Sequence, residues 1–207
     1  MTHCNVISFY APKGGVGCST LAAAAATWLA SQGKAVLLVD EVPHGDMAAV
    51  LGVADETTEF AYQRHVRDDF WLTNTRPSLT SEGAIDGWCV DDNLRSVRFT
   101  HMVIDYGGNV DAPARISVLV TRPCYLALRR AAICERTSVL VAVIEEPGRV
   151  LSTTDVGFSC RQPTLAVPYD SSISRCVDAG LLAHRMPMVL EPVVAELVER
   201  VLGSACA

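Results

Sequence analysis

The sequence predicts an α/β fold: a three-layer, doubly wound, mostly parallel sheet. Three observations lead to it. Short, continuous apolar runs recur along the chain, at Val6–Phe9, Ala35–Val39, Met102–Ile104, Ile116–Val120, Val139–Ile144 and Thr164–Val167. Runs of that length without polar alternation suit strands covered on both faces. Helix-compatible stretches lie between them, and strands alternating with helices imply right-handed crossovers and a parallel sheet. At 207 residues and 50% hydrophobic content, the chain fits one domain, residues 1–207, able to bury a core without crosslinks.

Taken in order, the first apolar run leads into a glycine-rich loop and then into Ser19–Ser31 (STLAAAAATWLAS), the clearest helix. Further helices are predicted near residues 123–136, 171–182 and 189–202. The segment from Thr57 to Phe99 is polar and aromatic by turns; one strand is predicted at Phe70–Thr73 and a helix after Leu79. In the last helix, Val189, Val193, Val194, Leu197, Val198, Val201 and Leu202 form one apolar face. Arg200 stands there against Glu191, Glu196 and Glu199, which fits a core-packing helix and not a membrane anchor.

Composition narrows the function classes. No apolar run approaches the roughly 18 residues needed to span a bilayer, and no basic segment with an apolar stretch and cleavage site opens the chain, so a cytoplasmic protein is expected. The eight cysteines include no Cys-x-x-Cys pair, so neither a zinc site nor a disulfide framework is indicated. The net charge of −6 argues against a protein coated by polyanion overall, while a local basic face stays compatible with it. Lys13 and Lys34 are the only lysines, which makes a lysine inside a glycine-rich loop the more informative.

That loop is Ala11-Pro12-Lys13-Gly14-Gly15-Val16-Gly17-Cys18-Ser19-Thr20. Between a strand and a helix, backbone N–H groups and the helix N-terminus can cradle phosphates. Glycines at 14, 15 and 17 permit close approach, and Ser19 sits where a hydroxyl can ligate Mg²⁺. Glycine turns also join strands to helices in proteins that bind nothing; the flanking elements and Lys13 favour phosphate.

At these residues the chain resembles the ParA/MinD family of P-loop ATPases, whose loop reads Lys-Gly-Gly-x-Gly-Lys-[Ser/Thr]-Thr. The resemblance implies a P-loop NTPase fold, ATP and Mg²⁺ as cofactors, and a homodimer with nucleotide at its interface. It implies that Lys13 reaches across to the partner's nucleotide and that Gly14 to Thr20 hold phosphates. The family's second lysine falls at Cys18. Losing that cation removes charge-assisted hydrogen bonds worth about 1.5–3 kcal/mol each, or about one to two decades of affinity. A thiol at this position admits a redox switch as well as a small residue tolerated in a decayed site.

Two further segments extend the resemblance. Val39-Asp40 followed by Glu41-Val42-Pro43-His44-Gly45-Asp46 is similar to the family's Asp-x-Asp-Pro-Gln-Gly-Asn element. Asp40 matches the aspartate near the metal, and Val42 stands where the family uses a second aspartate for hydrolysis. A valine neither accepts a proton nor orients water, so hydrolysis is expected to be impaired. The run His101–Ile104 delivers Asp105, an apolar strand then aspartate, the pattern that holds Mg²⁺ through water. The C-terminal ends of parallel strands converge on one crevice, so Ser19, Asp40 and Asp105 form the expected metal set. Leu119–Pro123 and Val167–Asp170 resemble the family's sheet core and its base-contacting turn, which adds Pro168 to the nucleotide contacts.

Arg115, Arg122, Arg129, Arg130 and Arg136 gather in one stretch, diluted by Glu135, Glu145 and Glu146, so a DNA-binding face and a solvated helix face are both compatible with it. The reading is a ParA-like nucleotide-dependent dimer switch for DNA partition or positioning, acting with an adaptor protein, with weak or absent ATP hydrolysis. A nucleotide-independent scaffold for a polar or secretion-pilus assembly is the alternative.

Overall fold

In a computed structural model of the chain, the described residues are 4–43, 45–53, 63–74, 99–111, 116–134 and 138–204. The helix predicted after Leu79 lies outside them, as do His44, Arg115, Glu135 and Arg136. The elements run in chain order as β1 (Asn5–Tyr10), α1 (Cys18–Ser31), β2 (Val36–Asp40), α2 (Met47–Leu51), β3 (Gln63–Arg67), β4 (Phe70–Thr73), β5 (His101–Asp105) and β6 (Ser117–Thr121). They continue as α3 (Tyr125–Ala132), β7 (Leu140–Glu145), α4 (Thr153–Cys160), β8 (Thr164–Pro168), α5 (Ser171–Asp178) and α6 (Glu191–Ser204).

The strands form one eight-stranded sheet in the order β3-β4-β2-β5-β1-β6-β7-β8. Every neighbouring pair is parallel except β3 with β4, which closes the edge as an antiparallel hairpin. The chain winds outward from β1 to β2 and β4, returns to β5 between β2 and β1, then crosses to β6, β7 and β8 on the other side. The order therefore reverses around β1, the place where such sheets open a crevice at the strand ends.

Strand residues alternate between two cores, as the two-residue pleat requires. Val36, Leu38, Val103, Ala142 and Ile144 face the core that holds α1 and α6, while Leu37, Val39, Met102, Ile104, Val141 and Val143 face the core that takes Ala131 of α3 and Val156 of α4. Both faces are covered, which is the three-layer arrangement expected. Ala22 to Ala26 have no exposed surface, since α1 packs on the sheet with α6 and α2 against its flanks. Alanines let the helix backbone approach both neighbours, and each larger side chain there would need space the layers do not leave.

The boundaries have local causes. α5 stops at Asp178, short of the predicted residue 182, because Gly180 takes the left-handed conformation (φ 64°) that ends helices. α6 begins at Glu191 with Pro192 in its first turn, where proline lacks only a hydrogen bond that the helix start leaves unmade. It buries Val194, Leu197, Val198 and Val201 in the core beside α1. α4 was not anticipated, although its start carries a readable cue: Ser152 Oγ accepts from Asp155 N–H (3.3 Å) while Asp155 Oδ2 accepts from Ser152 N–H (2.7 Å). Among the described residues, no helix is long and apolar enough to cross a membrane.

Candidate functional site

The crevice is built by three adjacent strands. β5 lies between β1 and β2, and the register sets Asp105 beside both Phe9 and Asp40. The loop after β1 thus rises next to two carboxylates delivered at the ends of β5 and β2. Backbone bonds tie these exits together: Ala11 N–H donates to Gly107 O (2.7 Å), Tyr106 N–H to Phe9 O (2.9 Å) and Glu41 N–H to Asp105 O (3.0 Å).

In the loop, Gly15 (φ 72°) and Gly17 (φ 101°) take left-handed conformations that a side chain would strain. Gly17 is also the N-cap of α1, so no side chain caps the helix, and its first turn carries no acid. An N-terminus left in this state carries donors and positive potential suited to an anion. Gly14 and Gly15 are exposed, and Val16 turns its side chain into the core with 1% exposed. Arg130 of α3 braces the loop through a hydrogen bond from Nη1 to Pro12 O (3.4 Å).

Cys18 is buried, and its thiol donates to Asp105 Oδ1 at 3.2 Å. The same oxygen accepts from Gly107 N–H (2.9 Å), while Asp105 Oδ2 is buried with no hydrogen-bond partner. A partnerless oxygen on a fully buried carboxylate is costly unless a cation or donor completes it. Asp40 Oδ1 accepts from Val42 N–H (3.1 Å). Burial pushes the Asp40 carboxyl above the ordinary range; Asp105 and Asp46 push the same way, and the N–H groups of Val42 and Met47 oppose them. A carboxyl raised in this way beside a second carboxylate favours a cation nearby.

Oxygens of Ser19, Asp40 and Asp105 are the hard donors that Mg²⁺ takes, and the orphaned Asp105 Oδ2 fits such an ion. Among the described residues, no cluster of three or more His, Cys, Asp or Glu side chains forms a metal ligand set. A Mg²⁺ here would complete its shell with water and phosphate oxygens, its usual habit.

Two glycines fix the approach of the carboxylate loops. A Cβ on Gly45 would overlap the Asp40 carboxylate, and one on Gly107 (φ 51°) would lie 2.7 Å from Val42 Cγ2. Val42 therefore packs its side chain onto the turn after β5, a contact that sequence reading did not anticipate.

Beside the loop lies a cavity of about 200 Å³, lined by Gly17 and Thr20 at the start of α1, by Pro168 at the end of β8 with Tyr169 and Asp170 after it, and by Arg122 after β6. Thr20 and Pro168, both expected to contact a ligand, thus share one cavity. Lys13 is half-buried and does not line this cavity, and it lies close enough to Glu146 to act on its charge.

A doubly wound sheet with a glycine loop at a helix N-terminus and carboxylates on the next two strands defines a P-loop protein. A family model described as an AAA domain matches residues 4–91, which span the loop and Asp40. The whole-chain fold is that of ParA and MinD ATPases. A ParA family ATPase from Chlorobium tepidum TLS superposes with a TM-score of 0.73 at 17% identity, covering 95% of this chain and 98% of that one. The MinD cell division protein of Aquifex aeolicus gives 0.70 at 20% identity, covering 97% and 98%. The septum site-determining protein MinD of Pyrococcus horikoshii OT3, complexed with Mg-ADP, gives 0.70 at 18%, covering 99% of each chain. No curated protein sequence matches the chain. The N-terminal match covers the loop and Asp40, and the whole chain shares the fold of these ParA and MinD structures.

Proposed function

We propose that this chain is a ParA-like dimer switch that binds ATP with Mg²⁺ in the loop after β1 and hydrolyses it slowly or not at all. The observation that carries the reading is Asp105: fully buried, with Oδ2 unpartnered, beside a helix N-terminus that no side chain caps. Phosphate would take the N–H groups of Gly14 to Thr20, and Mg²⁺ would join it to Ser19, Asp40 and Asp105. Pro168 and Tyr169, which share a cavity with Gly17 and Thr20, would contact the base. Lys13, half-buried in the loop and outside the cavity, would act across a subunit interface, as the resemblance to ParA implies. Val42 in place of a second carboxylate leaves no group at that position to orient water.

The bound dimer would engage an adaptor protein and nonspecific DNA. Arg129 and Arg130 lie exposed on α3 and supply a phosphate-binding edge whose hold would weaken with salt. The test is light scattering on size-exclusion chromatography with and without Mg²⁺-ATP. The switch requires an ATP-dependent change of mass that Lys13→Ala abolishes; a mass indifferent to ATP in the wild type sinks it.

One observation favours the second reading, a nucleotide-independent scaffold. The Cys18 thiol already bonds Asp105, tying the loop to β5 with no ligand. A scaffold predicts one constant mass and full partner binding in the Lys13→Ala protein.

A further inference from the structure

We infer that Arg122 supplies the phosphate-neutralising charge that the loop lacks at position 18. The inference rests on the nucleotide-binding reading above and names the residue that makes it workable.

Position 18 ordinarily brings a cation to the phosphates from within the loop, and a thiol bonded to Asp105 brings none. Three cations, Lys13, Arg122 and Arg149, gather instead around one carboxylate, Glu146, at the ends of β1, β6 and β7. Arg149 Nε donates to Glu146 Oε2 at 2.8 Å, and Arg122 Nη1 lies 3.8 Å from Oε1. Their charges, with that of Lys13, hold Glu146 below the ordinary carboxylate range, the hydrogen bond from Arg149 contributing most. Glu146 thus faces three cations on this side of the cavity, while Asp170 and Asp178 line it elsewhere.

Arg122 differs from the other two. Arg149 directs Nε and Nη2 to Glu146, and neither it nor the half-buried Lys13 lines the cavity. Arg122 lines the cavity together with Gly17 and Thr20, and its Nε is buried without a hydrogen-bond partner. A buried guanidinium N–H with no acceptor is unfavourable, and an anionic oxygen in the cavity would complete it. Arginine has donors enough to keep Nη1 toward Glu146 while offering Nε to a phosphate.

The fold delivers this placement. β6 runs parallel to β1 with Tyr10 beside Leu119, so the exits of the two strands, the loop and Arg122, emerge side by side. Pro123 restricts Arg122 to extended backbone, which keeps the side chain rising from the strand end.

The experiment is titration of Mg²⁺ and fluorescent mant-ATP into the reduced protein and three variants, with the melting temperature of each recorded to confirm folding. Arg122→Gln is expected to weaken binding about 10–100-fold, the scale of a lost charged hydrogen bond. Arg122→Lys should stay within about threefold of wild type, and Cys18→Lys added to Arg122→Gln should restore the lost affinity. Unchanged affinity in Arg122→Gln overturns the inference alone. So does equal loss in Arg122→Gln and Arg122→Lys with no rescue by Cys18→Lys, which marks a packing role. A wild type that binds no mant-ATP overturns the nucleotide reading itself, and this inference with it.

Discussion

The Cys18 thiol donates to Asp105 Oδ1 at 3.2 Å, joining the start of α1 to the end of β5 at the position where the ParA/MinD loop would carry a lysine. Sulfur thereby fills a steric and hydrogen-bonding role in the loop while contributing no charge. The bond and the burial of Cys18 also weigh against an exposed, reactive thiol, so the redox switch admitted by the sequence gains nothing from the fold.

Cys18→Ala leaves Asp105 Oδ1 with the Gly107 N–H alone and opens a small void. Loss of one buried hydrogen bond and a sulfur atom is expected to cost about 1–2 kcal/mol. Urea denaturation of both proteins measures it, and an unchanged midpoint would mean that the thiol bond contributes nothing.

Gly107→Ala meets two obstacles at once: a left-handed φ of 51° and a Cβ that would sit 2.7 Å from Val42 Cγ2. Destabilisation of about 1–3 kcal/mol is expected. Adding Val42→Ala should recover the steric part and leave the conformational part, a split that the double-mutant cycle reads directly.

Asp40 governs a pH dependence whose sign is set by burial. The folded state holds its proton more tightly than the unfolded chain does, so its contribution is full below the ordinary carboxyl value of 3.8. It is lost as pH rises from there through the raised folded value. Asp40→Asn should therefore flatten the fall in stability over that window and leave the protein more stable than wild type above it. Thermal melts across the acidic range check this; an Asn variant less stable than wild type above the window contradicts the account.

Val42→Asp restores a carboxylate where the family's hydrolytic element has one. In a Cys18→Lys background, phosphate release from Mg²⁺-ATP is expected to rise at least about tenfold over Cys18→Lys alone, the low end of what a positioned base provides. Equal rates would mean that the missing carboxylate is not what limits turnover.

Much of the fold was legible because its signals are local. Apolar runs located the parallel strands, and even in the least readable segment Phe70–Thr73 matched β4. The three site segments were legible for the same reason, each being a strand and the residues just after it. β3 was not, because the pairing that makes Gln63–Arg67 a strand is supplied by β4. α4 was missed despite the Ser152 and Asp155 cue at its start. The placements of Arg122 against Gly17 and Thr20, and of Val42 against Gly107, join segments distant in sequence. No local pattern encodes them; they follow from strand order.

The central claim is that the loop binds nucleotide without its second lysine. Calorimetric titration of Mg²⁺-ATP into the reduced native protein, with Cys18→Lys beside it, tests it most directly. Saturable binding by the native chain, about one to two decades weaker than Cys18→Lys, is the predicted result. Binding by Cys18→Lys alone, with none by the native chain at millimolar ATP, would contradict the switch and leave the nucleotide-independent scaffold.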